Sequence, residues 1–66
     1  MNKFKKLRLL SGKTVEQVAK ALGVNKASVY KWEAGQFSPN ASKIEKMAKT
    51  YNCSVEAVVE AYEAQN

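Results

Sequence analysis

The sequence predicts an all-α fold of five short helices, and three observations predict it. Apolar residues recur at helical spacing in five separate segments. Cap-type residues and glycines punctuate those segments, with Thr14, Asn25, Asn40 and Ser54 before helices and Gly12, Gly23 and Gly35 after them. No run of alternating β-branched residues argues for a strand.

The first segment runs from about Asn2 to Leu10, where Phe4, Leu7 and Leu10 recur and Gly12 closes the helix. The second begins at Thr14. Thr14 and Gln17 have the spacing of a capping box, and Val15, Val18, Ala19 and Leu22 form one apolar stripe before Gly23. Val24 follows, and Asn25 caps a third helix from about Lys26 to Ala34, ended by Gly35. The loop Gln36-Phe37-Ser38-Pro39 comes next, because proline tolerates a helix start but not an interior. Asn40 caps a fourth helix, about Ala41 to Tyr51, with Ile44, Met47, Ala48 and Tyr51 on one face. Asn52-Cys53 makes a turn, and Ser54 caps a fifth helix carrying Val55, Val58, Val59 and Tyr62. Joints this short force steep crossings rather than a long parallel bundle. At 66 residues the chain is expected to be one domain, 1–66.

Composition narrows the chemistry. There is no histidine and no aspartate, and all six acids are scattered glutamates. A metal site or a histidine-based catalytic site has almost no raw material, so an enzyme, a metal and a cofactor are not expected. The single cysteine, Cys53, cannot form an intramolecular disulfide and suits a reducing compartment. No segment approaches the ~18 consecutive apolar residues of a membrane span. The basic stretch Met1 to Arg8 is not followed by an apolar signal core. A cytoplasmic location away from membranes is therefore expected.

Charge is unevenly placed. Residues 1–31 hold eight bases and one acid, and residues 32–66 hold three bases and five acids. With a net charge of +5, this asymmetry points the N-terminal half toward a polyanion.

The stretch from Val15 to Lys31 is the most informative. Only a few residues around Gly23 join the second and third helices. A crossing that tight needs a small residue at the approach, a turn residue that accepts positive φ, and an apolar plug on the third helix. Ala19, Gly23 and Val29 meet these needs in turn. Val18, Leu22, Val24 and Trp32 fill the other inward positions. Trp32 shares a helical face with Val29 and is read as a core residue rather than a base-stacking one.

This pattern resembles the helix-turn-helix of the Cro/lambda-repressor-like family over nearly the whole chain. The residues that carry the resemblance are Arg8, Thr14 to Val24, Val29 to Gly35 with its Trp32-Glu33-Ala34-Gly35 end, Pro39, Ile44 to Ala48, and Cys53-Ser54-Val55. The resemblance implies a compact five-helix lambda-repressor-like domain whose third helix enters the major groove of double-stranded DNA. Matched by position, Lys26, Ala27, Tyr30 and Lys31 would meet the bases. Lysine donates to guanine, and a small apolar residue suits a thymine methyl. Thr14, Val15, Asn25, Ser28 and Gln36 would meet phosphates, partly through free N–H groups at the second helix's start. Arg8 and Glu33 would form an ion pair holding the third helix to the first.

Three positions depart from the family. Val15 stands where glutamine often contacts phosphate. Lys13 replaces an apolar residue, which would shift core packing onto Leu9 or Leu10. Phe37 replaces a polar loop residue and would either pack under the loop or face a partner. Cys53 stands at an apolar position and is read as a small buried residue.

One helix reads few base pairs, so a homodimer on a pseudo-palindromic operator is expected. The resemblance places its interface in the C-terminal half, with Phe37, Val59 and Tyr62 as candidates. A transcriptional regulator, most simply a repressor of bacterial or phage type, follows. No ligand-sensing second domain and no small-molecule ligand are expected. The alternative is a protein-interaction module, of antitoxin or bridging-factor type, that keeps the fold. Lys26, Tyr30 and Lys31 favour nucleic acid over it.

Overall fold

Helix starts and stops in the computed structural model, which describes residues 2–65, follow the punctuation closely. The helices are α1 (Lys3–Leu10), α2 (Val15–Leu22), α3 (Lys26–Glu33), α4 (Ile44–Thr50) and α5 (Val55–Gln65), and no strand occurs among the described residues. Asn2 caps α1, its side chain accepting the N–H groups of Phe4 and Lys5. Thr14 and Gln17 complete a reciprocal capping box, at 3.1 Å from Gln17 N to Thr14 Oγ1 and 2.9 Å from Thr14 N to Gln17 Oε1. Asn25 caps α3 through the Ser28 N–H, and Ser54 accepts the Ala57 N–H at the start of α5.

The first four helices end on one device. A residue of positive φ turns the chain, and the two N–H groups at the turn bond back to carbonyls of the last helical turn. At Gly23 (φ +69°) the bonds run from Gly23 N to Lys20 O and from Val24 N to Ala19 O. That reversal sets the crossing of α2 and α3, and an L side chain there would be strained. Asn52 (φ +55°) does the same after α4, as asparagine tolerates this region better than most residues.

α2 packs on α3 and α4, α1 packs on α3 and α5, and α5 packs on α4. Phe4, Val18, Val29, Met47, Val58 and Ala61 are fully buried where these contacts converge. Each large side chain among them contributes about 1.5–3 kcal/mol of hydrophobic stabilisation. Tyr62 packs edge-on against Phe4, with ring centroids 5.6 Å apart, and its hydroxyl donates to the Pro39 carbonyl.

Four expectations are corrected. Leu10 is 76% exposed and Leu9 is 48% exposed, so neither joins the core. The inward stripe of α1 is Phe4, Leu7 and Arg8, because Arg8 takes the slot one turn after Phe4 to reach Glu33. Val55 is also exposed, and Val58 and Ala61 bury α5, with Val59 half-buried. The fourth helix is preceded by a separate 3₁₀ turn, Ala41–Lys43, which Asn40 caps through the Ser42 N–H. Cys53 is half-buried rather than enclosed. Among the described residues no helix is long and apolar enough to cross a membrane.

Candidate nucleic-acid interface

The third helix divides cleanly into two sides. Val29 and Trp32 are buried against the body. Lys26, Ala27, Tyr30 and Lys31 are all exposed on the opposite side, and Tyr30 shows 59% of its surface. The division follows helical spacing: Val29 and Trp32, three apart, share the inward side, Ala27, Tyr30 and Lys31, one or two positions from Val29, point outward, and Lys26 is exposed at the helix start. Lys26 makes one loose contact, its Nζ 4.0 Å from Glu16 Oε2, with both side chains largely exposed.

Beside this face lies an open hollow of about 690 Å³. Lys13, Thr14 and Val15, leading into α2, line it together with Lys26 and Tyr30 of α3 and with Leu9 of α1. The N–H groups of Val15 and Glu16 lie in the first turn of α2, where no earlier helical carbonyl can accept them. The Gln17 N–H is already held by Thr14. The Val15 side chain is buried, which leaves its backbone N–H as the group it can offer to a ligand. Thr14 Oγ1 accepts from Gln17 and keeps its own proton to donate. Asn25 and the half-buried Ser28 are engaged with each other: Asn25 Oδ1 accepts from both the Ser28 N–H (2.9 Å) and the Ser28 hydroxyl (3.1 Å). Gln36 is exposed at the far end of α3, and its N–H is bonded to the Lys31 carbonyl at 3.0 Å.

Arg8 and Glu33 form a two-pronged ion pair that joins α1 to α3. Arg8 Nε donates to Glu33 Oε2 at 2.7 Å, and Arg8 Nη2 donates to Glu33 Oε1 at 2.9 Å. The side chains are only 11% and 6% exposed. Arg8 Nη1 donates to the Lys13 carbonyl at 3.1 Å, so one guanidinium ties α1, the loop before α2, and α3 together. The hydrogen bond from Glu33 raises the Arg8 pKa above its ordinary value, against the opposing effect of burial.

The three residues expected at a dimer interface lie apart in environment. Tyr62 is half-buried and spends both ring and hydroxyl inside the chain. Val59 is half-buried, and Phe37 is exposed at 59% with the Lys31 ammonium over its ring. Sequence reasoning missed the contacts of Asn2 and Gln65, which meet across the whole length of the chain. No local signal marks such a pair. Ala61 was missed too, although its spacing of three from Val58 would have found it.

A short helix proud of the body, plugged by valine and tryptophan and flanked by the open start of a second helix, defines a helix-turn-helix DNA-binding protein. A model of the Helix-turn-helix family matches residues 4–58. The chain belongs to that family, in its Cro/lambda-repressor-like branch, a family of DNA-binding regulators. No curated protein and no solved structure matches the chain.

Proposed function

We propose that the chain is a transcriptional repressor that binds a pseudo-palindromic operator as a homodimer, with α3 in the major groove. The observation that carries the reading is the exposed row Lys26, Ala27, Tyr30 and Lys31 on a helix whose other side is buried. The major groove, about 12 Å wide, admits a helix of this kind. Lys31 donates to guanine, Ala27 meets a thymine methyl, and Tyr30 and Lys26 reach a base edge or phosphate. The first turn of α2 and Thr14 hold a phosphate in the adjacent hollow, with the side chains of Asn25, Ser28 and exposed Gln36 as further anchors. Two half-sites lie ~34 Å apart. The Cα frame of one protomer measures 24 × 23 × 23 Å, and side chains enlarge it on every side, so two copies can touch at that spacing. Val59, half-buried on α5, is the candidate to meet there. Repression follows most simply by blocking polymerase.

Selection of bound sequences from random duplex DNA, followed by salt titration, tests this. Binding should weaken with a log–log slope near −0.9 per phosphate neutralised. Lys31→Ala should cost about 1–3 kcal/mol on the preferred site and relax one base position. An equal loss on every sequence would leave Lys31 a phosphate contact only. A second reading, a protein-interaction module with the same fold, draws support from exposed Leu9 and Leu10. It predicts that no sequence is enriched and that Lys31→Ala is silent.

A further inference from the structure

Lys31 does not stand free on the recognition face. Its Nζ lies 5.4 Å from the centroid of the Phe37 ring, within the range of a cation–π contact. The backbone enforces this proximity. The chain reverses at Gly35 (φ +76°), and the Lys31 carbonyl accepts the N–H groups of both Gln36 (3.0 Å) and Phe37 (3.4 Å). The residue that carries the ring is thus bonded to the main chain of the lysine it covers.

The same loop is held from below. Gln65 Nε2 donates to the Phe37 carbonyl and to Ser38 Oγ, each at 3.2 Å. Gln65 Oε1 accepts from Asn2 Nδ2 at 2.7 Å. Asn2 Nδ2 also donates to the Trp32 carbonyl at 3.2 Å, and Asn2 Oδ1 accepts the N–H groups of Phe4 and Lys5. Both ends of each side-chain amide are therefore engaged, and neither can be turned over without setting donor against donor. The two amides connect the start of α1, the last turn of α3, the end of α5 and the loop bearing Phe37.

We infer that Phe37 is a specificity-determining residue that presets the recognition lysine, with Asn2 and Gln65 as the positioning residues that hold the loop under it. The inference rests on the reading of α3 as the base-contacting helix. A free lysine loses much rotamer freedom when it docks on one base edge, and a lysine already confined over a ring loses less. An exposed cation–π contact favours the confined arrangement by about two- to fivefold. Discrimination at the base facing Lys31 should depend on Phe37 by a factor of that size.

The test uses the full chain and four variants. In the free protein, the Lys31 side-chain protons should show an upfield ring-current shift by NMR that disappears in Phe37→Leu. On DNA, Phe37→Leu should lower discrimination at the base that Lys31→Ala relaxes by about two- to fivefold. Asn2→Asp keeps the acceptor that caps α1 but removes the donor to Trp32 and Gln65, and Gln65→Met removes the link to the loop. Both should reduce the ring-current shift and the discrimination in parallel while the helical circular dichroism is retained. Wild-type Lys31 protons at unshifted positions would overturn the inference. So would a selective wild type whose selectivity Phe37→Leu leaves unchanged. Loss of affinity for all sequences together with loss of the dimer in sedimentation would make Phe37 an interface residue instead, and would overturn it as well. A wild type that selects no sequence defeats the DNA reading itself, which separates the two failures.

Discussion

Glu33→Gln removes the charge that faces Arg8 while keeping the shape of the side chain. In the folded protein two N–H donors of Arg8 reach the carboxylate at 2.7 and 2.9 Å, and both side chains are about nine-tenths buried. An exposed pair would be worth ~0–1 kcal/mol. Removing one partner of a buried pair costs about 3–5 kcal/mol, because the remaining charge is left without its counterion. Glutamine still offers one carbonyl to one donor, and Arg8 keeps the Lys13 carbonyl, so the expected loss is about 2–4 kcal/mol. A domain of this length has about 3–10 kcal/mol of stability in all. At roughly 4–8 °C per kcal/mol, even the lower figure shifts Tm down by about 8–16 °C. Thermal and urea melts followed by circular dichroism read this directly. The double variant Arg8→Met/Glu33→Met should be more stable than Glu33→Gln, since no buried charge is then orphaned. A Tm for Glu33→Gln within about 2 °C of wild type would refute the reasoning, because the pair would then be worth no more than a surface contact.

Tyr51 gives a pH prediction. Burial pushes its phenol well above the ordinary value, with the Glu33 charge adding to the rise and Arg8 opposing it. A raised folded-state pKa means that stability is intact below the unfolded value of about 10 and is lost as pH climbs past it. Urea melts between pH 8 and 11 should show that decline, and Tyr51→Phe should flatten it, although Tyr62 and Cys53 are raised by burial in the same direction. The Tyr51 hydroxyl has no protein partner among the described residues. Tyr51→Phe should therefore leave the stability at neutral pH unchanged or raise it by up to about 1 kcal/mol, and a loss of that size would show the hydroxyl to be bonded. Gly23→Ala meets no neighbour within 4 Å, so its cost is conformational alone, about 1–2 kcal/mol in a urea melt. A neutral result would mean the turn relaxes out of positive φ.

The unit from Thr14 to Trp32 was legible because every signal in it is local. The capping box, the apolar stripe, the glycine turn and the Val29–Trp32 face all lie within a few residues of one another. α1 was read less well, because a periodicity built on apolar residues assigns Leu10 inward, where the structure leaves it exposed. The inward place of Arg8 came from the family resemblance and not from periodicity, since its partner lies 25 positions away. Val55 was misplaced as well: α5 buries Val58 and Ala61, and its first valine stands exposed at the helix start. Of the site, the exposed face of α3 could be read from Val29 and Trp32 alone. The placement of Phe37 could not, because it depends on the Gly35 reversal and on a glutamine from the other end of the chain.

The meeting of Asn2 with Gln65 also has a bearing on how the molecule can be handled. Anything fused ahead of the first helix or behind the last leaves from the same corner, next to the loop that follows α3. Tags at either end therefore crowd one surface, and moving a tag from front to back gains no distance from it. The same closeness makes the chain suited to circular permutation: a short bridge can join the two ends, with new ends opened at an exposed turn elsewhere.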